Sequence, residues 1–159
     1  MTDAPGRQRD LPAIFRSGYV TRWHSNPDLA HIRETLAEHH ARVAQILFAI
    51  HPCPTLALIE AALFHDCGEA VVGDLPAPVK HAHPAIAKAH AKAERAARIK
   101  MGCEVDLLPV EAEWLKLADM MAAYMHVGHT RPELLEEDEW MAAEMAIDRL
   151  RDRLGGVEA

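Results

Sequence analysis

Aromatic residues make up only 5% of the 159-residue chain, three Trp, two Tyr and three Phe, and β-branched residues never gather into runs. A sheet core built on such side chains is therefore not expected. Cysteine is scarce as well: Cys53, Cys67 and Cys103 are an odd number at wide spacings with no C-x-x-C pair, which argues against a disulfide framework and a zinc knuckle. No stretch approaches the roughly 20 consecutive apolar residues of a membrane span. The polar start, Met1 to Asp10, lacks the apolar core of a secretory signal. A cytoplasmic protein without a membrane partner is the expectation. Clustered Lys and Arg are also missing, and the formal charge is −7. Binding to a nucleic-acid polymer is not expected, because it relies on counterion release by clustered cations.

What is present favours helices. Half of the residues are apolar, chiefly Ala, Leu, Ile, Val and Met, enough for one buried core. We expect an all-α fold and a single domain over 1–159, with short flexible ends at about 1–9 and 155–159. Five helices follow from the periodicity. Leu29 to Ile50 carries Leu36, Val43, Ala44, Ile46, Leu47 and Ile50 at helical spacing and stops before Pro52. Thr55 to about Cys67 is apolar nearly all round, as in the middle of a bundle. Gly73 to Pro78 is expected as a turn or extended loop, since two prolines restrict it. Pro84 to Met101, rich in Ala, Lys and Arg, reads as a solvated surface helix. Val110 to His126 and Glu133 to Leu154 complete the set, the first with Asp119 in its midst and the second amphipathic.

Eleven histidines are many for this length, and imidazole is a common ligand for transition metals. The doublet His65-Asp66 ends the most apolar helix, where an unpaired carboxylate is costly to bury. No basic residue follows before Lys80. His39 and Asp119 lie in the middles of two other predicted helices. Two histidines and two carboxylates suit a divalent ion such as Mn, Fe, Co, Ni or Zn better than an all-oxygen calcium site. Glu69 shares a face with His65 and Asp66 if the helix runs one turn past Gly68. For His31, His40, His51, His81, His83, His90, His126 and His129, placement on the surface is the expectation; His24, beside Arg22-Trp23, is a candidate phosphate contact.

The order His39, His65-Asp66, Asp119 resembles the H…HD…D signature of the HD-domain metal phosphohydrolases. The run His65-Asp66-Cys67-Gly68-Glu69-Ala70-Val71-Val72-Gly73-Asp74-Leu75-Pro76-Ala77-Pro78-Val79-Lys80 is similar to the HD-x-x-E-x-x-x-G-D-x-P-x-P-x-K stretch of its bacterial 5′-deoxynucleotidase (YfbR-like) branch. Arg22-Trp23 and Ala118-Asp119 with Ala123-Tyr124 resemble that branch too. The resemblance implies a bundle of five to seven helices around a metal held by His39, His65, Asp66 and Asp119. Such an ion lowers the pKa of bound water from about 15.7 toward about 7. Glu69 and Asp74, with Asp66, would be the catalytic carboxylates. Arg22 would bind phosphate through its planar donor fork, and Trp23 would stack on or wall off the base or sugar. Asp74, Leu75, Pro76 and Ala77 would line the substrate pocket, and Lys80 would add charge for a longer phosphate chain.

The implied reaction is dephosphorylation of a deoxynucleoside 5′-monophosphate by a homodimer. Two alternatives are a dNTP triphosphohydrolase releasing tripolyphosphate and a non-catalytic module in which the ion is structural. Structural metal sites are usually closed, whereas catalytic ones keep a position open for water.

Overall fold

The computed structural model describes residues 8–155, and they form helices joined by turns. Of the flexible ends expected at about 1–9 and 155–159, residues 1–7 and 156–159 lie outside the described residues. In order, the elements are α1 (Leu11–Ser17), α2 (Leu36–Ile50), α3 (Leu56–Phe64), α4 (Glu69–Val72), α5 (Ala77–Ala82), α6 (Pro84–Met101), α7 (Pro109–Thr130), a 3-10 turn (Pro132–Glu136) and α8 (Asp138–Gly155). Among the described residues extended pairing is limited to one isolated antiparallel bridge, Thr21 with Thr35. The fold is all-α, as composition predicts. Among the described residues no helix is long and apolar enough to cross a membrane.

The five long helices, α2, α3, α6, α7 and α8, are those that periodicity places, with shifted ends. The first does not begin at Leu29. Residues 29–34 are turn, bend and irregular chain, Thr35 bridges to Thr21, and α2 starts only after it; the Thr35 backbone N–H and hydroxyl donate to Glu38 Oε2 at 2.7 and 2.9 Å while its Oγ1 accepts from the Glu38 N–H at 3.3 Å. That reciprocal capping box sets the helix start. α3 ends at Phe64 rather than at Cys67, so His65-Asp66 sits on a tight turn closed by Cys67 N–H to Phe64 O and Glu69 N–H to Asp66 O. The last predicted helix is split at Glu137, whose extended backbone separates the 3-10 turn from α8. The Gly73–Pro78 segment is extended only through Pro76. Ala77 and Pro78 open α5, where a proline in the first turn needs no N–H donor.

The chain falls into two compact units. The first holds residues 8–38 and Phe64–Glu104. Its core is Cys67, Met101 and Cys103, packed by Ala13, Ile14 and Phe64. α1 is capped by Asp10, which accepts from Ala13 N–H at 3.0 Å and donates its own N–H to Met101 O at 2.9 Å. α6 ends at Gly102 in the left-handed region, φ 74°, where a Cβ would meet Gln8 O at 2.4 Å. Only glycine closes this Schellman-type end.

The second unit holds His39–Leu63 and residues 105–155. Val43, Ala44 and Leu47 of α2 pack with Leu58 and Ala62 of α3 and Ala118 and Ala122 of α7. Leu117 of α7 packs with Ile147, Leu150 and Leu154 of α8. α3 buries Leu58, Ala61 and Ala62, while its Leu56 and Leu63 are exposed. Ala118 and Ala122, both buried, lie on either side of Asp119 along α7.

Candidate functional site

The first unit carries most of the residues that the sequence singles out. His65 Nε2 lies 3.2 Å from Asp66 Oδ2, on the turn between α3 and α4. The turn is pressed onto α6 at Gly68, where a Cβ would meet Glu94 O at 2.6 Å and other Glu94 backbone atoms at 3.0 and 3.1 Å. Glu69 follows at the start of α4 and is buried. α3 does not continue past Gly68, so Glu69 comes to Asp66 by a change of helix. Burial pushes its carboxyl up to about 8; the charges of Asp66 and Asp74 push the same way and that of Arg22 opposes them. Burial likewise raises Glu94, against the charges of His90 and Lys80.

Asp74, half-buried, follows Gly73, whose φ of 78° belongs to the region that favours glycine. Lys80 of α5 is exposed, its Nζ 3.9 Å from Asp74 Oδ1. Leu75 and Pro76 are half-buried in the loop, and Ala77 is exposed at the start of α5.

Arg22 and Trp23 are organised by a residue that sequence reading passes over. The bridge between Thr21 and Thr35 sets Arg22 opposite Glu34, with the Arg22 N–H donating to Glu34 O at 2.8 Å. The fully buried Glu34 carboxylate takes Trp23 Nε1–H at 2.8 Å and Arg22 at 3.2 Å on one oxygen, Oε2. The Arg22 guanidinium lies 4.9 Å from the Trp23 ring centre, a cation–π distance. Trp23 has φ 65°, a conformation that costs a bulky residue about 1–3 kcal/mol and marks sites where position matters more than stability. The signal for Glu34 is faint: an acid two positions before the start of α2. His24 is exposed, its Nδ1 3.1 Å from Thr21 O.

The second unit carries the other pair. His39, fully buried on α2, has Nε2 3.0 Å from Asp119 Oδ1 of α7, and the Asp119 side chain is 40% exposed. His40 and His126 are buried, contrary to the surface placement expected for them. The rings of His39 and His40 are 5.9 Å apart, and Arg42 approaches His126 Nδ1 at 3.5 Å. His40 shares the buried face of α2 with Val43 and Leu47, so its burial leaves no break in the pattern that a sequence reading would notice.

Each unit thus holds one imidazole Nε2 beside one carboxylate oxygen, at 3.0 and 3.2 Å. Two ligand atoms about 2.1 Å from one divalent ion and about 90° apart lie about 3.0 Å from each other. Both pairs have the spacing of neighbouring ligands, and the N/O donor set fits a borderline-soft ion. The partial exposure of Asp119 leaves water access to one pair.

A family model described as 5′-deoxynucleotidase YfbR-like matches residues 11–112, a span drawn from both units. Proteins named 5′-deoxynucleotidase YfbR from Salmonella paratyphi B, Salmonella newport and Salmonella heidelberg are each 29% identical to this chain over 153 residues, 89% of this chain and 65% of theirs. The chain therefore spans just under two thirds of the length of these relatives. No solved structure matches it.

Proposed function

The chain belongs to the YfbR-like 5′-deoxynucleotidase family of the HD-domain superfamily, and from that premise we propose that it is a divalent-metal-dependent phosphohydrolase releasing phosphate from deoxynucleoside 5′-monophosphates. The observation that carries the reading is the pair of histidine–carboxylate contacts, His39 with Asp119 and His65 with Asp66, each at the spacing of adjacent metal ligands.

In this reading His39, His65, Asp66 and Asp119 hold the ion, and the two units together make one domain. A bound Mn, Fe, Co, Ni or Zn supplies charge neutralisation at the phosphate and acidifies water. Arg22 binds the phosphate oxygens, its guanidinium turned by Glu34 and backed by the Trp23 ring. Trp23 walls off the base or sugar, and Leu75, Pro76 and Ala77 line the nucleoside. Water attacks phosphorus and loses a proton; the bond from phosphorus to the 5′-oxygen breaks, and that oxygen gains one. Glu69 and Asp74 are the carboxylates that handle these two protons. Lys80 adds charge at the phosphate end. The reading extends to a homodimer acting in the cytoplasm on a small nucleotide, with no nucleic-acid polymer or membrane as partner.

The test is chromatographic product analysis with metal-loaded protein and a panel of dNMPs, NMPs and dNTPs, with Asp66→Ala as control. Orthophosphate from dNMPs, absent with the variant, supports the proposal. Intact tripolyphosphate from a dNTP would replace the substrate class, and no product from any substrate would overturn the assignment as an enzyme.

A further inference from the structure

α6 tracks the chain from His65 to Gly73 in the reverse direction, through three residues four apart. Arg98 Nη1 donates to His65 O at 2.8 Å. Glu94 O lies where Gly68 must have no side chain. His90 Nε2 is 2.9 Å from Gly73 O, and its Nδ1 is 3.3 Å from Glu94 Oε1. Positions i, i+4 and i+8 form one ridge of a helix, so this helix, which composition reads as a solvated face, presents a template to the turn bearing His65 and Asp66.

Arg98 is the best determined part of that template. The His65 carbonyl follows the last residue of α3 and is among those a helix end leaves without an intrahelical donor. A cation there is favourable on both hydrogen-bonding and dipole grounds. The other arm of the same fork, Arg98 Nε, bonds Glu104 Oε2 at 2.7 Å, and Arg95 Nε bonds Glu104 Oε1 at 2.8 Å. Glu104 is buried, so it depends on these cations. The Arg98 carbonyl in turn accepts from Cys103 N–H at 3.0 Å. Both ends of Arg98 are therefore fixed, and its guanidinium is largely shielded.

We propose that Arg98, braced by Glu104, is a positioning residue that sets the orientation of the His65–Asp66 pair toward the metal through the His65 carbonyl. The inference rests on the metal-dependent reading above. Partners behind the ligands of a metal typically change its affinity about 10–100-fold when removed. Lys in place of Arg98 reaches one acceptor but not both, since only the planar fork serves two at once.

The experiment compares full-length wild type, Arg98→Met, Arg98→Lys and Arg95→Met. Mn(II) affinity is measured by calorimetry on metal-free protein, with amide exchange at Cys67 and Glu69 and kcat and KM for a dNMP. Arg98→Met is expected to bind Mn(II) about tenfold more weakly, to exchange faster at both amides, and to lose kcat with KM little changed. Arg98→Lys is expected to recover part of each loss. Arg95→Met, which touches Glu104 but not His65 O, is expected to keep the Mn(II) affinity. Wild-type affinity and exchange in Arg98→Met would overturn the proposal, as would equal losses in Arg95→Met. If Arg98→Met does not fold, Arg98→Lys decides in the same way. If wild type neither binds Mn(II) nor releases phosphate, the functional reading fails, and exchange at the two amides still decides whether Arg98 holds the turn.

Discussion

Trp23 donates its indole N–H to the buried Glu34 Oε2 at 2.8 Å, and Arg22 reaches the same oxygen from 3.2 Å. One carboxylate therefore holds both Arg22 and Trp23, which the proposal places against the substrate. Glu34→Gln removes the charge that holds Arg22 while keeping the side-chain shape. KM for a dNMP is expected to rise about tenfold, the loss of one charge-assisted contact, with a smaller change in kcat. An unchanged KM in steady-state kinetics would detach Glu34 from binding.

Trp23 sits at φ 65°, so stability and function pull apart there. Trp23→Gly relieves the backbone, and its effect on Tm should be small for the loss of so large a residue. KM should rise strongly. A drop in Tm like that of a core aromatic, with KM preserved, would make Trp23 an ordinary packing residue.

Gly68→Ala places a methyl 2.6 Å from a backbone oxygen of α6, which no rotamer change can relieve. A loss of about 1–3 kcal/mol is expected, read as a lower melting temperature by circular dichroism, together with weaker metal binding. Retention of both would mean that the turn can lift from α6 at little cost.

Thr55 Oγ1 and the Leu108 N–H both donate to the Glu111 carboxylate and hold its pKa below the ordinary value. A folded pKa lower than the unfolded one stabilises the protein above the unfolded value, and the effect is lost as pH falls through the folded value. Glu111→Gln should therefore melt about 1–3 °C below wild type at pH 7, and the gap should close below about pH 4. A gap independent of pH would contradict this.

Metal at about 100 times its Kd should stabilise the folded protein by about 2.7 kcal/mol. Co or Mn is expected to raise Tm, a chelator to reverse the rise, and Asp119→Asn to abolish most of it. Equal shifts in wild type and variant would remove Asp119 from the ligands.

The long helices were legible because their apolar positions recur at helical spacing, and His65-Asp66 stood out as a charge ending an apolar run. Helix ends were less legible. Nothing local says that Leu29, fully buried, belongs to a turn rather than to α2; the decision lies in Thr35 and Glu38. Glu34, Arg98 and Glu104 escaped for a different reason. Each is a charged residue of ordinary local appearance whose partner lies 6 to 33 positions away, and burial of a paired charge leaves no periodic mark. Surface placement, the default for a histidine with no partner pattern in the sequence, holds for the exposed His81 and His83 but not for the buried His40 and His126.

The capping box of α2 has a further effect beyond ending a turn. Thr35 and Glu38 are locked reciprocally, and His39 is the very next residue. Each residue of an α-helix advances about 100° around its axis, so a start displaced by one position would swing the imidazole to a different compass bearing. Its 3.0 Å approach to Asp119 would be lost without any change in either residue. Thr35 acts as the zero mark of a protractor: a substitution there, four positions before His39 at the lip of the helix, would erase the angle at which the proposed ligand points.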